Sequence, residues 1–288
     1  MNLPVLPASY IERIVRLALD EDVPFGDLTT ESFVPVSAHA HMVLTARERG
    51  VLSGGQVFAH AMRVMEPGVD VELLIPDGAA FEPEDQLAVV SGPARAVFTS
   101  ERVGLNLVQR MSGVATLTAQ YVTAVEGTGV RITDTRKTTP GLRRLERYAV
   151  RCGGGHNHRF GLSDAVMAKD NHLATLAAEG IGLAEAVSAA RTRLPHTTHI
   201  EVEVDRLDQI PPALEAGADT IMLDNFSIAD MHSGVELIAG RAWVEASGGV
   251  TLTSIGPTAR TGVDVISVGA LTHSAPALDL GLDVWVDQ

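Results

Sequence analysis

The stretch from Thr133 to His172, TDTRKTTPGLRRLERYAVRCGGGHNHRFGLSDAVMAKDNH, concentrates the residue types that could do chemistry in this 288-residue chain. Residues 131–172 hold nine basic residues (Arg131, Arg136, Lys137, Arg143, Arg144, Arg147, Arg151, Arg159 and Lys169) against four acids (Asp134, Glu146, Asp164 and Asp170). The island is therefore +5 on a chain whose net charge is −14. Such an island steers and holds a small anion. Lys137 and Lys169 are the only two lysines in the sequence. Where arginine is the default cation, a lysine points to a compact ammonium that a planar fork cannot replace.

Within the island, TDTRKTTPG follows the apolar run VRIT, so Asp134, Arg136 and Lys137 emerge at the end of a strand. The bland alternative is a solvated basic loop. RCGGGHNHRFG lets the backbone approach a ligand closely, and His156 and His158 point the same way if extended. A zinc set of Cys152, His156, His158 and His172 has the right ligand types, but its spacing matches no standard zinc pattern. AKDNH sets Lys169 at a second strand end, where a cation near other cations needs an anion. EVEVD puts Glu201 and Glu203 on one strand face, with Glu203 nearer the end, and Asp224 closes TIMLD. Carboxylates there suit Mg²⁺ or hydroxyl groups. EASGG (245–249) and SVGAL (267–271) end the last two strands, where glycine-rich turns of a barrel bind phosphate.

The elements that must position these residues read as two textures. SYIERIVRLALD (9–20) is a helix with Ser9 as N-cap, followed by the loop EDVPFGDLTTES. HMVLTAR, VDVELLI, QLAVVSG and ARAVF read as short strands, with a helix over 56–65 and turns at 76–78 and 92–93. Residues 100–125 read as one long or two consecutive helices. Beyond them, strands at 130–134, 164–170, 199–205, 219–225, 242–247 and 263–269 alternate with helices at 182–193, 208–216, 227–238 and 251–260. That alternation predicts a parallel α/β barrel, with an open doubly wound sheet as the fallback. The expected organisation is an N-terminal α+β sandwich domain, 1–113, and an incomplete parallel α/β barrel, 114–274, with 275–288 returning as a strand to the first domain.

Composition narrows the class. An apolar content of 45% and charged content of 20% describe an ordinary globular protein. The acidic balance argues against nucleic acid as a partner. A lone cysteine fits a reducing compartment, and no basic leader with an apolar segment opens the chain. The expectation is a cytoplasmic protein without a membrane span.

Together, ED…FGDLTT, SERVGLNLVQRMSGVAT, DTRKTTPGLR…YAVRCGGGHNHRFGLSDAVMAKDNH, EVEVD, LDNF, EASGG and SVGALTHS resemble the quinolinate phosphoribosyltransferase family over nearly the whole chain. The resemblance implies a pentosyltransferase of NAD biosynthesis. It would convert quinolinate and phosphoribosyl pyrophosphate (PRPP) to nicotinate mononucleotide, pyrophosphate and CO₂ with Mg²⁺. It also implies a homodimer, with higher assemblies left open, in which Arg102 reaches across the interface. Arg102, Arg136, His158, Arg159 and Lys169 would hold the quinolinate carboxylates, and Lys137 would contact PRPP beside Thr135. Glu203 and Asp224 would face the ribose hydroxyls and Mg²⁺, directly or through water. Ser247, Gly248, Gly249, Gly269, Ala270 and Leu271 would bind the 5′-phosphate. Lys137, Lys169, Glu203 and Asp224 are the expected catalytic set.

Four rivals stand beside this expectation. A molybdenum-transport-associated relative shares the fold. A nicotinate phosphoribosyltransferase would not need to grip a second carboxylate. A non-catalytic anion-binding protein would not need Glu203 and Asp224. A metal-dependent barrel hydrolase is disfavoured because His156 and His158 have no matched carboxylate partner in the sequence.

Overall fold

The computed structural model describes residues 3–284. Residues 285–288, the end of the expected returning strand, lie outside the described residues. The chain forms two compact units: one of residues up to Ala119 with Thr138–Gly154 and the segment from Ala270, the other of Gln120–Lys137 and Gly155–Gly269. This division differs from a single cut at 113/114, because 138–154 leaves the barrel segment and groups with the first unit. Elements are numbered in chain order.

The first unit contains α1 (Ala8–Asp22), α2 (Leu28–Phe33), β1 (His39–Ala46), β2 (Gly50–Val51), α3 (Gly55–Val64), β3 (Asp70–Leu73), β4 (Ala80–Phe81) and β5 (Gln86–Pro93). It also takes most of α4 (Ala94–Ala124), α5 (Arg143–Cys152), α11 (Ala270–His273) and β12 (Leu280–Val284). Its main sheet runs β12-β1-β5-β3 and is antiparallel, while β2 and β4 form a separate ribbon. Met42, Leu44, Phe58, Met62, Leu87, Val90, Val97 and Val108 pack into one buried core. Each such side chain stabilises the fold by about 1.5–3 kcal/mol. Helix α1 buries Ile11, Ile14, Val15 and Leu19, four positions that share one helical face.

Several local expectations are corrected. Pro7, not Ser9, is the N-cap of α1, and Ser9 lies inside the first turn. The loop 21–32 contains α2, which Asp27 caps by accepting the Thr30 N–H at 2.9 Å. Gly92 and Pro93 end β5 rather than making a turn. ARAVF is the start of α4, not a strand. Five apolar-rich residues satisfy either period, and the burial of Ala94, Val97, Gly104, Val108, Met111 and Ala115 shows that the helical period wins.

The second unit contains β6 (Arg131–Thr133), β7 (Val166–Ala168), α6 (Asp170–Ala178), α7 (Leu183–Arg193), β8 (Ile200–Val204), α8 (Ile210–Glu215), β9 (Thr220–Asp224), α9 (Ile228–Ile238), β10 (Trp243–Ser247), α10 (Ile255–Ala259) and β11 (Val265–Ser267). Its six strands are all parallel, in the order β6-β11-β10-β9-β8-β7. Among the described residues no strand pairing joins β6 to β7, so the sheet is an incomplete barrel. Strand β7 is shorter than the expected 164–170 because Asp170 already begins α6. In β8, Val202 and Val204 are fully buried on one face, which places Glu201 and Glu203 on the other. No single helix among the described residues is long and apolar enough to cross a membrane.

Candidate active site

The barrel unit gathers its polar side chains at the C-terminal ends of its strands, the side on which barrels build their sites. Asp134, the first residue after β6, is fully buried. Its carboxylate accepts Asn157 Nδ2 at 2.6 Å and the His158 backbone N–H at 2.8 Å. The β6 edge takes one further parallel bridge, from Thr133 to His156. Asp134 thus sets the GGGHNHR turn in place, and with it the His158 ring.

That ring lies between two carboxylates. Nε2 of His158 is 3.3 Å from Glu201 Oε2 and 3.2 Å from Glu245 Oε2, both glutamates being at most 4% exposed. Burial pulls the His158 pKa down, but hydrogen bonds and charge from Glu201 and Glu245 outweigh it and raise it to about 10. The two carboxylates at that range in a buried site favour a protonated ring, and the Arg159 N–H, 2.8 Å from Nδ1, opposes it. Burial, then the neighbouring Glu245, raises the Glu201 carboxyl, while His158 and Arg159 lower it. The second carboxylate oxygens of Glu201 and Glu245 are buried without a hydrogen-bond partner. His158 therefore has two matched carboxylates, correcting the ground on which a metal site was disfavoured. The three ligand atoms lie within 4.8 Å of one another, but their spacing to Nε2 is that of hydrogen bonds from an N–H donor.

Of the remaining expected cations, Arg159 adjoins this cluster. Arg159 donates to Ala165 O at 3.1 Å, and its pKa is lowered by burial and by the charge of Arg136. The carboxylates of Glu201 and Asp164 act on Arg159 in the opposite direction. Lys169 follows β7 as the N-cap of α6, and its Nζ pairs with Glu203 Oε2. The anion that Lys169 requires is thus supplied by the protein itself. The Lys137 N–H donates to Thr135 Oγ1 at 3.0 Å, a short turn that sets the backbone entering the Lys137 loop.

Glu203 and Asp224, at the ends of β8 and β9, line one cleft of about 640 Å³ with Asp170, Arg206, Gln209 and Asn225. The Asn225 N–H donates to Ser247 O at 2.9 Å. Next to it, Gly248 has φ +94°, and a Cβ there would lie 2.2 Å from Asn225 Oδ1. Gly249 has φ +58° with open space around it. The Ser247–Gly249 turn is therefore one that only glycine makes at position 248.

Other expected residues lie in the first unit. Arg102 is an exposed residue of α4. Ala270 and Leu271 begin α11, and the fully buried Leu271 side chain leaves only its backbone for a ligand. The zinc set fails on chemistry: the Cys152 thiol is buried and pushed up to about 12 by burial, with Asp77 nearby, and His172 Nδ1 accepts the Lys169 N–H at 2.9 Å. Glu245 escaped the sequence reading, and Glu201 was set aside for Glu203. The signal was present in both: an ionisable residue in the middle of a buried parallel strand.

The chain matches the family model of the quinolinate phosphoribosyl transferase N-terminal domain over residues 27–112 and of its C-terminal domain over 114–283. It belongs to the quinolinate phosphoribosyltransferase family. A relative from Mycobacterium leprae, named nicotinate-nucleotide pyrophosphorylase [carboxylating], is 43% identical over 279 residues, covering 94% of this chain and 95% of its own. A Bacillus subtilis (strain 168) protein of the same name, marked probable, is 42% identical over 269 residues, covering 93% and 91%. The structure of the nicotinate-nucleotide pyrophosphorylase from Francisella tularensis superposes with a TM-score of 0.91 at 36% identity and covers 99% of each chain. The mixed α/β architecture, antiparallel first and parallel second, is that of this family.

Proposed function

We propose that this quinolinate phosphoribosyltransferase family member transfers the phosphoribosyl group of PRPP to the ring nitrogen of quinolinate, releasing pyrophosphate and CO₂ and yielding nicotinate mononucleotide for NAD biosynthesis. The carrying observation is geometric: His158 held between Glu201 and Glu245, with Arg159 next to it, lies in the same parallel-sheet unit as Lys169 paired to Glu203 and the Glu203–Asp224 cleft. Both substrates are polyanions that carry either carboxylates or a ribose diphosphate. One array answers the first, the other the second.

Arg136, Arg159 and His158 hold the two ring carboxylates and fix the pyridine nitrogen for attack. Lys169 joins them by sharing its charge between Glu203 and substrate. Lys137 meets the PRPP phosphates, with Thr135 ordering its loop. Ser247, Gly248, Gly249 and Gly269, with the backbone of Ala270 and Leu271, take the 5′-phosphate. Glu203 and Asp224 face the ribose hydroxyls and stabilise positive charge as it develops on the sugar when pyrophosphate leaves. The new bond makes the pyridine nitrogen cationic, and that charge stabilises the ring carbanion formed on loss of CO₂. No side-chain nucleophile is required: the protein's work is positioning and electrostatics.

Glu203 and Asp224 offer hard oxygen donors in one cleft, which fits Mg²⁺ arriving with a diphosphate and needing only one or two protein carboxylates. When bound, the ion would neutralise the leaving pyrophosphate. We also assign a cytoplasmic homodimer. Val5, Phe25, Leu28, Phe33 and Val36, in the segment before β1, are each at least 78% exposed, more apolar surface than so short a segment usually leaves to water. In that dimer Arg102 completes the partner's quinolinate site.

Nicotinate offered in place of quinolinate tests the dicarboxylate assignment. Turnover of quinolinate alone supports it; equal turnover of nicotinate, without CO₂, would overturn it.

A further inference from the structure

One buried ion pair in the first unit has partners that the proposed reaction does not use. Glu146, the fourth residue of α5, is 1% exposed, and its carboxylate takes Arg110 Nη2 at 2.9 Å. The same carboxylate accepts the Thr139 N–H at 3.0 Å and Thr139 Oγ1 at 2.8 Å. Arg110, from α4, reaches two carbonyls with the rest of its fork: Ala275 O at 2.6 Å and Thr272 O. Thr139 stands two residues after Lys137, and Thr272 is the next residue after Leu271. A single guanidinium–carboxylate pair therefore grips the chain just beyond each of two stretches assigned to PRPP.

We infer that Arg110 and Glu146 are positioning residues for PRPP, a strut that holds the loop after Lys137 in register with the turn Gly269–Leu271. The inference rests on the proposed function, because it takes both stretches to be PRPP ligands. Its physical basis is geometric. The rigid fork of Arg110 donates through Nη1 and Nη2 to two carbonyls and one carboxylate, a fixed geometry that a lysine ammonium does not reproduce. Glu146 then orients Thr139 through both its backbone and its hydroxyl. Arg143 Nε adds a bond to Thr138 Oγ1 at 2.9 Å, so successive residues after Lys137 are tied to α5. A loop held at this many points loses little freedom when it closes on a phosphate, so less of the binding energy is spent on ordering it.

The test is steady-state kinetics with each substrate varied in turn at saturating levels of the other, comparing wild type with Thr139→Val, Glu146→Gln and Arg110→Lys. Removing one partner of a buried pair destabilises the fold, so Thr139→Val, at an exposed residue, is the variant certain to report from a folded protein. The expected result is a KM for PRPP raised about fivefold or more in Thr139→Val, and further in Glu146→Gln, at unchanged KM for quinolinate. Arg110→Lys should not rescue. A KM for PRPP within twofold of wild type in folded Thr139→Val and Glu146→Gln, or an equal rise for both substrates, would overturn the strut. A wild type that uses no PRPP at all would overturn the proposed function and the strut with it.

Discussion

Nε2 of His158 lies 3.2 Å from Glu245 Oε2, joining a glycine-rich turn to the middle of β10. Glu201 and Glu245 together raise the His158 pKa well above its ordinary range, to about 10. Because the folded value is raised, the cluster's stabilisation is complete below about 6.5, the unfolded value. It is lost as pH rises toward 10. The raised Glu201 carboxyl acts in the same direction. Thermal melting of wild type and His158→Gln should therefore differ most at and below pH 6.5, by a few kcal/mol, and converge toward pH 10. A gap independent of pH would contradict the charged ring.

Lys169 and Glu203 should behave as a pair. Lys169→Met removes a charged donor and leaves Glu203 without its partner in a largely buried position. We expect KM for quinolinate to rise about tenfold to a hundredfold, the worth of one charge-assisted hydrogen bond. Isothermal titration with quinolinate checks this directly; unchanged affinity would remove Lys169 from the site.

Gly248 and Gly249 give an internal comparison. Gly248→Ala would push a Cβ into Asn225 at φ +94°, and should cost about 1–3 kcal/mol and weaken PRPP binding. Gly249→Ala meets open space and should cost about 1 kcal/mol, from its left-handed backbone alone. Melting temperatures and PRPP KM values for the two variants check the order. Equal effects would mean the turn is not shaped by the Asn225 contact.

The part of the candidate site that is legible in the sequence is the part whose residues sit next to one another in the chain. Arg136 with Lys137, His158 with Arg159, and Ser247 with the two glycines each form a local motif whose chemistry does not depend on distant partners. What could not be read is long-range pairing. His158 meets Glu201 and Glu245 only because β8 and β10 stand in one sheet, and Lys169 meets Glu203 only through the β7–β8 register. Helix α5 was hidden for another reason. RRLERYAVRC is assigned no element from the sequence, because its four arginines and glutamate mask Leu145, Ala149, Val150 and Cys152, which the helix buries. ARAVF failed as a strand because five residues are too few to separate the two periods.

The shared site of the proposed dimer predicts complementation. Arg102→Ala and Lys137→Ala should each be inactive while folded. After unfolding, mixing and refolding together, hybrid dimers should carry one site with neither substitution, restoring about a quarter of wild-type activity if chains reassort freely. No recovery would place Arg102 in its own subunit's site or outside any site.

The most direct measurement is the product balance of the purified wild-type chain supplied with quinolinate, PRPP and Mg²⁺. The account predicts nicotinate mononucleotide and CO₂ in equal amounts, each requiring both substrates. Absence of both products, or CO₂ released without nucleotide, would contradict it.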